Sequence, residues 1–153
     1  MAQRSKKEHI VGIALPLFLE SGFKGTSIDI VVKQSLVSKP TVYNHFPDKA
    51  ALMYAVIEQW VNKNKPSLVF KSDSQTLDTL IQSQWLTGDA VRLYALVIGE
   101  GWRFPEATKL FWKQYDDIWR KALGYVADRL SNHGQHPVDL LLDHQLMNRL
   151  RLL

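Results

Sequence analysis

Apolar residues recur at helical spacing along most of the chain. From Arg4 to Ser21 they follow the i, i+3, i+4, i+7 pattern of an amphipathic helix, at Ile10, Ile13, Ala14, Leu17 and Phe18. Similar stripes cover residues 47–64 and 105–132. The sequence contains no alternating strand pattern and no internal repeat, so it predicts an all-α protein.

Glycine and proline predict where the first helix bends and ends. Pro16 lies inside the first stripe and removes one backbone hydrogen bond, but its ring faces Gly12, which can adjust. We therefore expect a kink and no break there. Gly22 tolerates the left-handed conformation and predicts the stop.

Two short helices follow, over about 27–35 and 38–46, joined by a tight turn. A hydroxyl residue stands at each start, Thr26 or Ser27 for the first helix and Ser38 for the second, as expected of an N-cap. Such a pair forms a helix-turn-helix, whose second helix enters the major groove of DNA.

The later segments are also predicted as helices. Short helices are expected near 75–86 and 89–100, then a long one from Pro105 to about Asn132, and a final segment from Val138 to Leu153. A chain of 153 residues suits one domain, or one with a small appendage.

Composition and charge narrow the function. Without cysteine, the chain can form no disulfide, thiolate zinc site or cysteine nucleophile. Residues 1–65 hold nine Lys/Arg and five Asp/Glu, and residues 66–153 hold ten of each, so the net charge of +4 lies in the first part. A basic segment joined to a neutral one suggests a polyanion-binding module, and a solvated basic face is the alternative. With no transmembrane run and no signal peptide, a cytoplasmic protein is expected.

Catalytic and metal signals are weak. The sequence has no glycine-rich phosphate loop and no Gly-x-Ser-x-Gly motif, so we expect no enzyme. Histidines and aspartates collect near the C-terminus, where solvent-exposed residues and caps are more common than ligands. We predict no metal and no cofactor there. The residues of this group are His133, His136, Asp139, Asp143 and His144.

Residues 10–57 resemble the N-terminal domain of the tetracycline-repressor (TetR/AcrR) family of transcriptional regulators. Several linked motifs at fixed spacing carry this resemblance: Ala14…Phe18, Gly22-Phe23, Thr26-Ser27-Ile28, Val37-Ser38-Lys39 with Thr41 and Tyr43, then Phe46, Lys49 and Leu52. A second, weaker resemblance is to the start of a long ligand-domain helix in one branch of the family. It lies at Glu100…Arg103-Phe104-Pro105-Glu106…Phe111.

The resemblance implies a fold and site residues. It implies a three-helix DNA-binding domain over 1–48 and a helical effector-binding and dimerisation domain over 49–153, with a connecting helix at 49–65. By the resemblance, DNA would be contacted from three helices. The contacts would come from the start and the phosphate-facing positions of the recognition helix, the cap of the supporting helix and the start of the connecting helix. These residues are Ser38, Lys39, Pro40, Thr41, Tyr43, Asn44, His45, Thr26, Ser27 and Lys49.

The chain departs from the family pattern in three places. Ser35-Leu36 replaces the usual Ala-Gly of the turn, so Leu36 is strained if the turn needs a positive φ. Val32 stands where a small alanine is usual. The family usually continues with a further helix, so the C-terminus is expected to be short, which puts the dimer geometry in doubt.

Aromatic residues crowd the C-terminal part. They favour either a pocket for an apolar or aromatic ligand or a plain core and dimer interface. The candidate pocket residues are Trp85, Tyr94, Trp102, Phe104, Phe111 and Tyr115.

The sequence therefore predicts a DNA-binding regulator. We expect a repressor that binds a palindromic operator in double-stranded DNA as a homodimer and is released by a small-molecule effector. The alternative is a related helical protein with impaired DNA binding that acts through protein–protein contacts without an effector.

Overall fold

The computed structural model describes residues 5–66, 76–130 and 138–153. Within these ranges the chain is helical and has no strand, so the predicted fold class is confirmed. The α-helices are α1 (Lys6–Gly25), α2 (Ile28–Ser35), α3 (Lys39–His45), α4 (Lys49–Lys63), α5 (Leu77–Leu80), α6 (Gly88–Glu100), α7 (Pro105–Phe111), α8 (Asp117–Leu130) and α9 (Val138–Leu150).

Helix α1 starts at a capping box. The Ser5 hydroxyl accepts from the Glu8 N–H, and the Glu8 carboxylate accepts from the Ser5 N–H, both at 3.2 Å. The helix continues through Pro16 without a break, as predicted, but the kink expected at Pro16 is found at Gly22. Its backbone turns at Gly22, where φ is 75° and ψ is 177°, and one further turn follows. The predicted stop at Gly22 is therefore a kink between two helical pieces.

The first three helices pack around a small apolar core. Ser27 is the cap of α2, since its hydroxyl accepts from the Ile30 N–H at 3.2 Å. Val42 on α3 is fully buried. The side chains that surround this core are Ile10, Ala14, Phe18, Ile28, Val31 and Phe46.

The turn between α2 and α3 places Leu36 in a backbone conformation with positive φ, which is strained for leucine. Leu36 has φ 56° and ψ 23°, which is the left-handed region, and its side chain is 92% exposed. On the other side of the turn, the ring Nε2 of His9 lies 2.8 Å from the carbonyl oxygen of Ser35. The helix-turn-helix forms with leucine in place of glycine, and a contact from α1 holds the end of α2.

Helix α4 joins the two halves of the molecule. Asp48 caps it by accepting from the Ala51 N–H at 2.7 Å. One side of α4 packs on α1 and another on α7. Its apolar side chains are buried between them: Leu52, Met53, Ala55, Val56, Ile57, Trp60 and Val61.

The remaining helices, α5–α9, are called the C-terminal helices below. Two π-helical turns continue these helices: Ile81–Trp85 follows α5, and Trp112–Asp116 joins α7 to α8. The long helix predicted from Pro105 is thus continuous as far as it is described, but it is not regular. The wider turn brings both Tyr115 and Asp116 into the interior, although they are adjacent in sequence.

Candidate nucleic-acid interface

Helix α3 has one buried face and one open face. Val42 fixes it to the core, while the residues on the other side point away. Thr41 is half-buried, and Tyr43 is 38% exposed. The remaining predicted recognition-helix residues are all exposed: Ser38, Lys39, Pro40, Asn44 and His45. The open face of α3 therefore carries a cation, a phenol, an amide and hydroxyl groups, which are side-chain types that contact phosphates and base edges.

The start of α3 is not capped by its own serine. Ser38 occupies the N-cap position, but its hydroxyl makes no capping hydrogen bond. It lies instead 2.7 Å from the hydroxyl of Thr41. The predicted cap at Ser38 is therefore correct in position and wrong in chemistry.

Lys39 is paired with Asp29 across the two helices of the motif. Its Nζ lies 3.0 Å from Asp29 Oδ1, and both side chains are more than half exposed. The hydrogen bond to Asp29 and the attraction of that carboxylate raise the pKa of Lys39, so the ammonium stays charged. Because exposed ion pairs contribute little free energy, Lys39 can leave Asp29 for a DNA group at low cost.

Two residues predicted to meet DNA have other roles. Thr26 is buried, and its hydroxyl donates to the carbonyls of Gly22 at 2.8 Å and Leu17 at 3.1 Å. Lys49 donates to the Phe23 carbonyl at 2.7 Å and lies over the Phe23 ring. Thr26 has no free surface to offer DNA, and the Lys49 ammonium is already held inside the protein. Ser27 remains exposed beside α2.

The aromatic residues of the C-terminal helices form a packed core. Tyr94 meets Phe111 at 4.9 Å between ring centroids, and Phe111 meets Tyr115 at 5.3 Å. Trp85 also packs on Tyr94, and all four side chains are fully buried. Trp102 lies apart, 72% exposed, with the guanidinium of Arg103 over its ring.

Four of the six candidate pocket residues, Trp85, Tyr94, Phe111 and Tyr115, therefore contact one another in this core. Three surface grooves among the described residues, each about 400 Å³, lie along α1 instead. None of the six candidate pocket residues lines them. A ligand pocket lined by these residues stays a prediction, because ring spacing in sequence does not tell whether rings face a void or one another.

Polar groups inside this core satisfy one another. The Trp85 indole donates to the Tyr94 hydroxyl at 2.9 Å, which donates to Asp116 at 2.6 Å. Arg120 donates to the same carboxylate at 2.9 Å. Burial, and then the negative charge of Asp116, raise the pKa of Tyr94. Burial likewise opposes the charge of Arg120, but its bonds to Asp116 and Asp143 raise its pKa.

The C-terminal histidine and aspartate group does not assemble into a metal site among the described residues. Asp143 accepts from Arg120 at 2.8 Å, so its carboxylate has a structural partner. His133 and His136 lie outside the described residues. In the described ranges, no helix is both long enough and apolar enough to cross a membrane.

Sequence reasoning missed two residues that shape this interface. His9, which meets the end of α2, sits in a basic N-terminal run and has no motif that marks it. Glu100 accepts hydrogen bonds from the N–H groups of Phe23 and Lys24, both at 2.9 Å. Glu100 is the first residue of the weaker family-like motif, so its place in that motif was the sequence feature that could have pointed to a role for it.

Comparisons with known proteins agree with this arrangement. Residues 10–56 match the family described as bacterial regulatory proteins, tetR family. The chain is 30% identical to the HTH-type transcriptional regulator RutR of Escherichia coli over 114 residues, which is 72% of this chain and 48% of RutR. It is 27% identical to the HTH-type transcriptional regulator UidR of the same species over 136 residues, 84% of this chain and 66% of UidR.

A solved structure shows the same fold. Salmonella enterica GusR superposes with a TM-score of 0.66 at 21% identity, covering 96% of this chain and 81% of GusR. The chain thus spans between about half and two thirds of the length of the two curated relatives. Both relatives are named as transcriptional regulators. The helix-turn-helix geometry and these matches together show that residues 10–56 form a helix-turn-helix domain of the TetR family of bacterial regulatory proteins.

Proposed function

We propose that the chain represses transcription by docking α3 into the major groove of a palindromic operator, as a homodimer. The observation that carries this proposal is the open face of α3, with its opposite side fixed by the buried Val42. A helix held in this way presents its polar residues as a rigid set, which sequence readout requires. The proposed contact residues are Ser27, Ser38, Lys39, Pro40, Thr41, Tyr43, Asn44 and His45.

Charge supports DNA as the partner. The net charge of +4 resides in residues 1–65, which include α1 and both helices of the motif, α2 and α3. Phosphate attraction provides most of the sequence-independent part of DNA binding, so a basic first half and a neutral second half suit a DNA module on a separate body.

An apolar face on the C-terminal helices supports the dimer. Tyr125 is 62% exposed and Leu140 is 70% exposed, which is unusual for such large apolar side chains. Ile118, Leu141 and Met147 are exposed on the same two helices, α8 and α9. We place the two-fold interface there, because a symmetric dimer sets the same patch of each subunit against itself.

Release by a small apolar or aromatic effector is the last part of the proposal. The rings pack on one another, so we expect an effector that enters among them to move them. Trp85, inside the ring cluster, then provides the signal: an effector should change tryptophan fluorescence and lower operator affinity together. The ligand acts only through its different affinity for the two arrangements.

Selection from a random pool of duplex DNA tests the proposal without knowledge of the operator. Wild-type protein should enrich an inverted repeat whose half-sites are about one helical turn, or a multiple of it, apart. Lys39→Ala should enrich it poorly. Lys109→Ala is the matched control, since Lys109 is also an exposed lysine paired with one carboxylate, that of Glu106 at 3.1 Å. Enrichment of no sequence, or equal loss in both variants, would contradict the proposal.

A further inference from the structure

Glu100 connects the C-terminal helices to the entrance of the helix-turn-helix. It is the last residue of α6, and its carboxylate reaches the broken end of α1. Oε1 accepts from the N–H of Phe23 and Oε2 from the N–H of Lys24, each at 2.9 Å. The two residues lie in the last turn of α1, three residues before α2 begins at Ile28, so one side chain from α6 holds the segment that leads into the motif.

The kink at Gly22 creates this site. Because the backbone leaves the helical region there, a new helical turn begins at Phe23, and its first N–H groups need other acceptors. A carboxylate satisfies both with charge-assisted hydrogen bonds. A side chain at position 22 would collide with it, since a Cβ there would lie 2.6 Å from Glu100 Oε1. Gly22 and Glu100 therefore fit each other.

The position of Glu100 is unfavourable for its own helix. A negative charge at a helix C-terminus opposes the helix dipole, so stability of α6 does not explain a carboxylate there. Arg103 lies 3.6 Å from the carboxylate and offsets part of this cost. The Glu100 side chain is 26% exposed, so its hydrogen bonds to α1 are partly shielded from water.

The corner that carries Glu100 is rigid. A 3₁₀ turn, Gly101–Arg103, follows α6, and the Thr108 hydroxyl donates to the Gly101 carbonyl at 3.0 Å and ties this turn to α7. The buried Phe104 ring packs on the Phe23 ring, with centroids 4.8 Å apart. Phe23 is thus held by its N–H, by its ring and, through Lys49, by its carbonyl. A shift of this corner must move the start of the motif.

We propose that Glu100 is a positioning residue for operator recognition: its paired hydrogen bonds to Phe23 and Lys24 fix α3 relative to the C-terminal helices. This inference rests on the dimer of the proposed function. In that dimer, the paired hydrogen bonds of Glu100 set the distance between the two recognition helices. Glu100 does not itself touch DNA. Its loss should change how two half-sites are matched together and leave the reading of one half-site intact.

The test uses the operator that wild-type protein selects. Binding is measured to that operator, to versions whose half-site spacing is changed by one base pair, and to a single half-site. The variants are Glu100→Ala and Glu100→Gln, and the latter keeps the size of the side chain. Glu106→Gln is the matched control for the lost negative charge, because Glu106 is an exposed carboxylate of α7.

We expect Glu100→Ala to lower affinity for the selected operator by about tenfold, the usual effect of losing hydrogen bonds to a charged group. Affinity for a single half-site should stay within about twofold of wild type, so the preference for one spacing should weaken. Glu106→Gln should keep the wild-type preference. Should Glu100→Ala not fold, Glu100→Gln gives the same comparison, and amide exchange of Phe23 and Lys24 reports the lost bonds.

Two results overturn the inference alone. One is an unchanged spacing preference in a folded Glu100 variant. The other is an equal loss for the operator and the single half-site, which would make Glu100 only a support of the motif's fold. If wild-type protein selects no inverted repeat, the proposed function fails first and the inference falls with it.

Discussion

Replacing Leu36 by glycine should stabilise the protein. Leu36 adopts φ 56°, and a left-handed backbone costs a residue with a Cβ about 1–2 kcal/mol. The side chain is 92% exposed, so its removal loses almost no packing. Glycine also loses more backbone freedom on folding than leucine, which offsets roughly 0.5–1 kcal/mol of this gain in stability. The net expected gain in the free energy of unfolding is therefore about 0.5–1 kcal/mol.

Chemical denaturation of wild type, Leu36→Gly and Leu36→Ala measures this gain. Leu36→Ala is the control, since it removes the side chain and keeps the Cβ, and it should stay close to wild type. The melting temperature of Leu36→Gly should rise by about 1–4 °C for a chain of this length. A loss of about 1 kcal/mol, as glycine causes inside a helix, would refute the assigned backbone conformation.

Two further predictions concern the C-terminal helices. Burial, followed by the charge of Asp116, raises the pKa of Tyr94 and Tyr115 above the ordinary value, so the folded state keeps both phenols neutral. Their contribution to stability is complete below about pH 10 and is lost as the pH rises further, at about 1.4 kcal/mol per pH unit for each. Tyr94→Phe should make the loss of unfolding free energy smaller by about 1.4 kcal/mol per pH unit, measured by denaturation at pH 9–11.5. An unchanged pH dependence would contradict the buried network. On α9, Leu140→Glu should give a monomer in sedimentation and weaken operator binding about a hundredfold or more, whereas the equally exposed Leu152→Glu should not. A Leu140→Glu dimer of wild-type strength would place the interface elsewhere.

Local signals predicted the first half of the fold well. The cap at Ser27 and the strained turn at Leu36 each depend on neighbouring residues in the chain, and the structure confirms both. At Gly22 the chain kinks where a stop was predicted, and one further helical turn follows.

Residues whose role depends on distant contacts were harder to predict. Thr26 and Lys49 carry surface-type side chains, yet both bond to backbone carbonyls near the end of α1. The sequence left open whether the aromatic rings line a pocket or form a core, because their contacts join helices that meet only in the folded chain. The π-helical turn that buries Asp116 has no sequence signature, because it follows from packing.

The central claim is that the open face of α3 contacts DNA, and salt dependence tests it most directly. Operator affinity is measured against salt concentration for wild type, Lys39→Ala and Lys109→Ala. The loss of one phosphate contact should lower the slope of log K against log salt by about 0.9 for Lys39→Ala, with weaker binding at low salt. Lys109→Ala should retain the wild-type slope and affinity. The same slope and affinity in all three proteins would contradict the docking of α3.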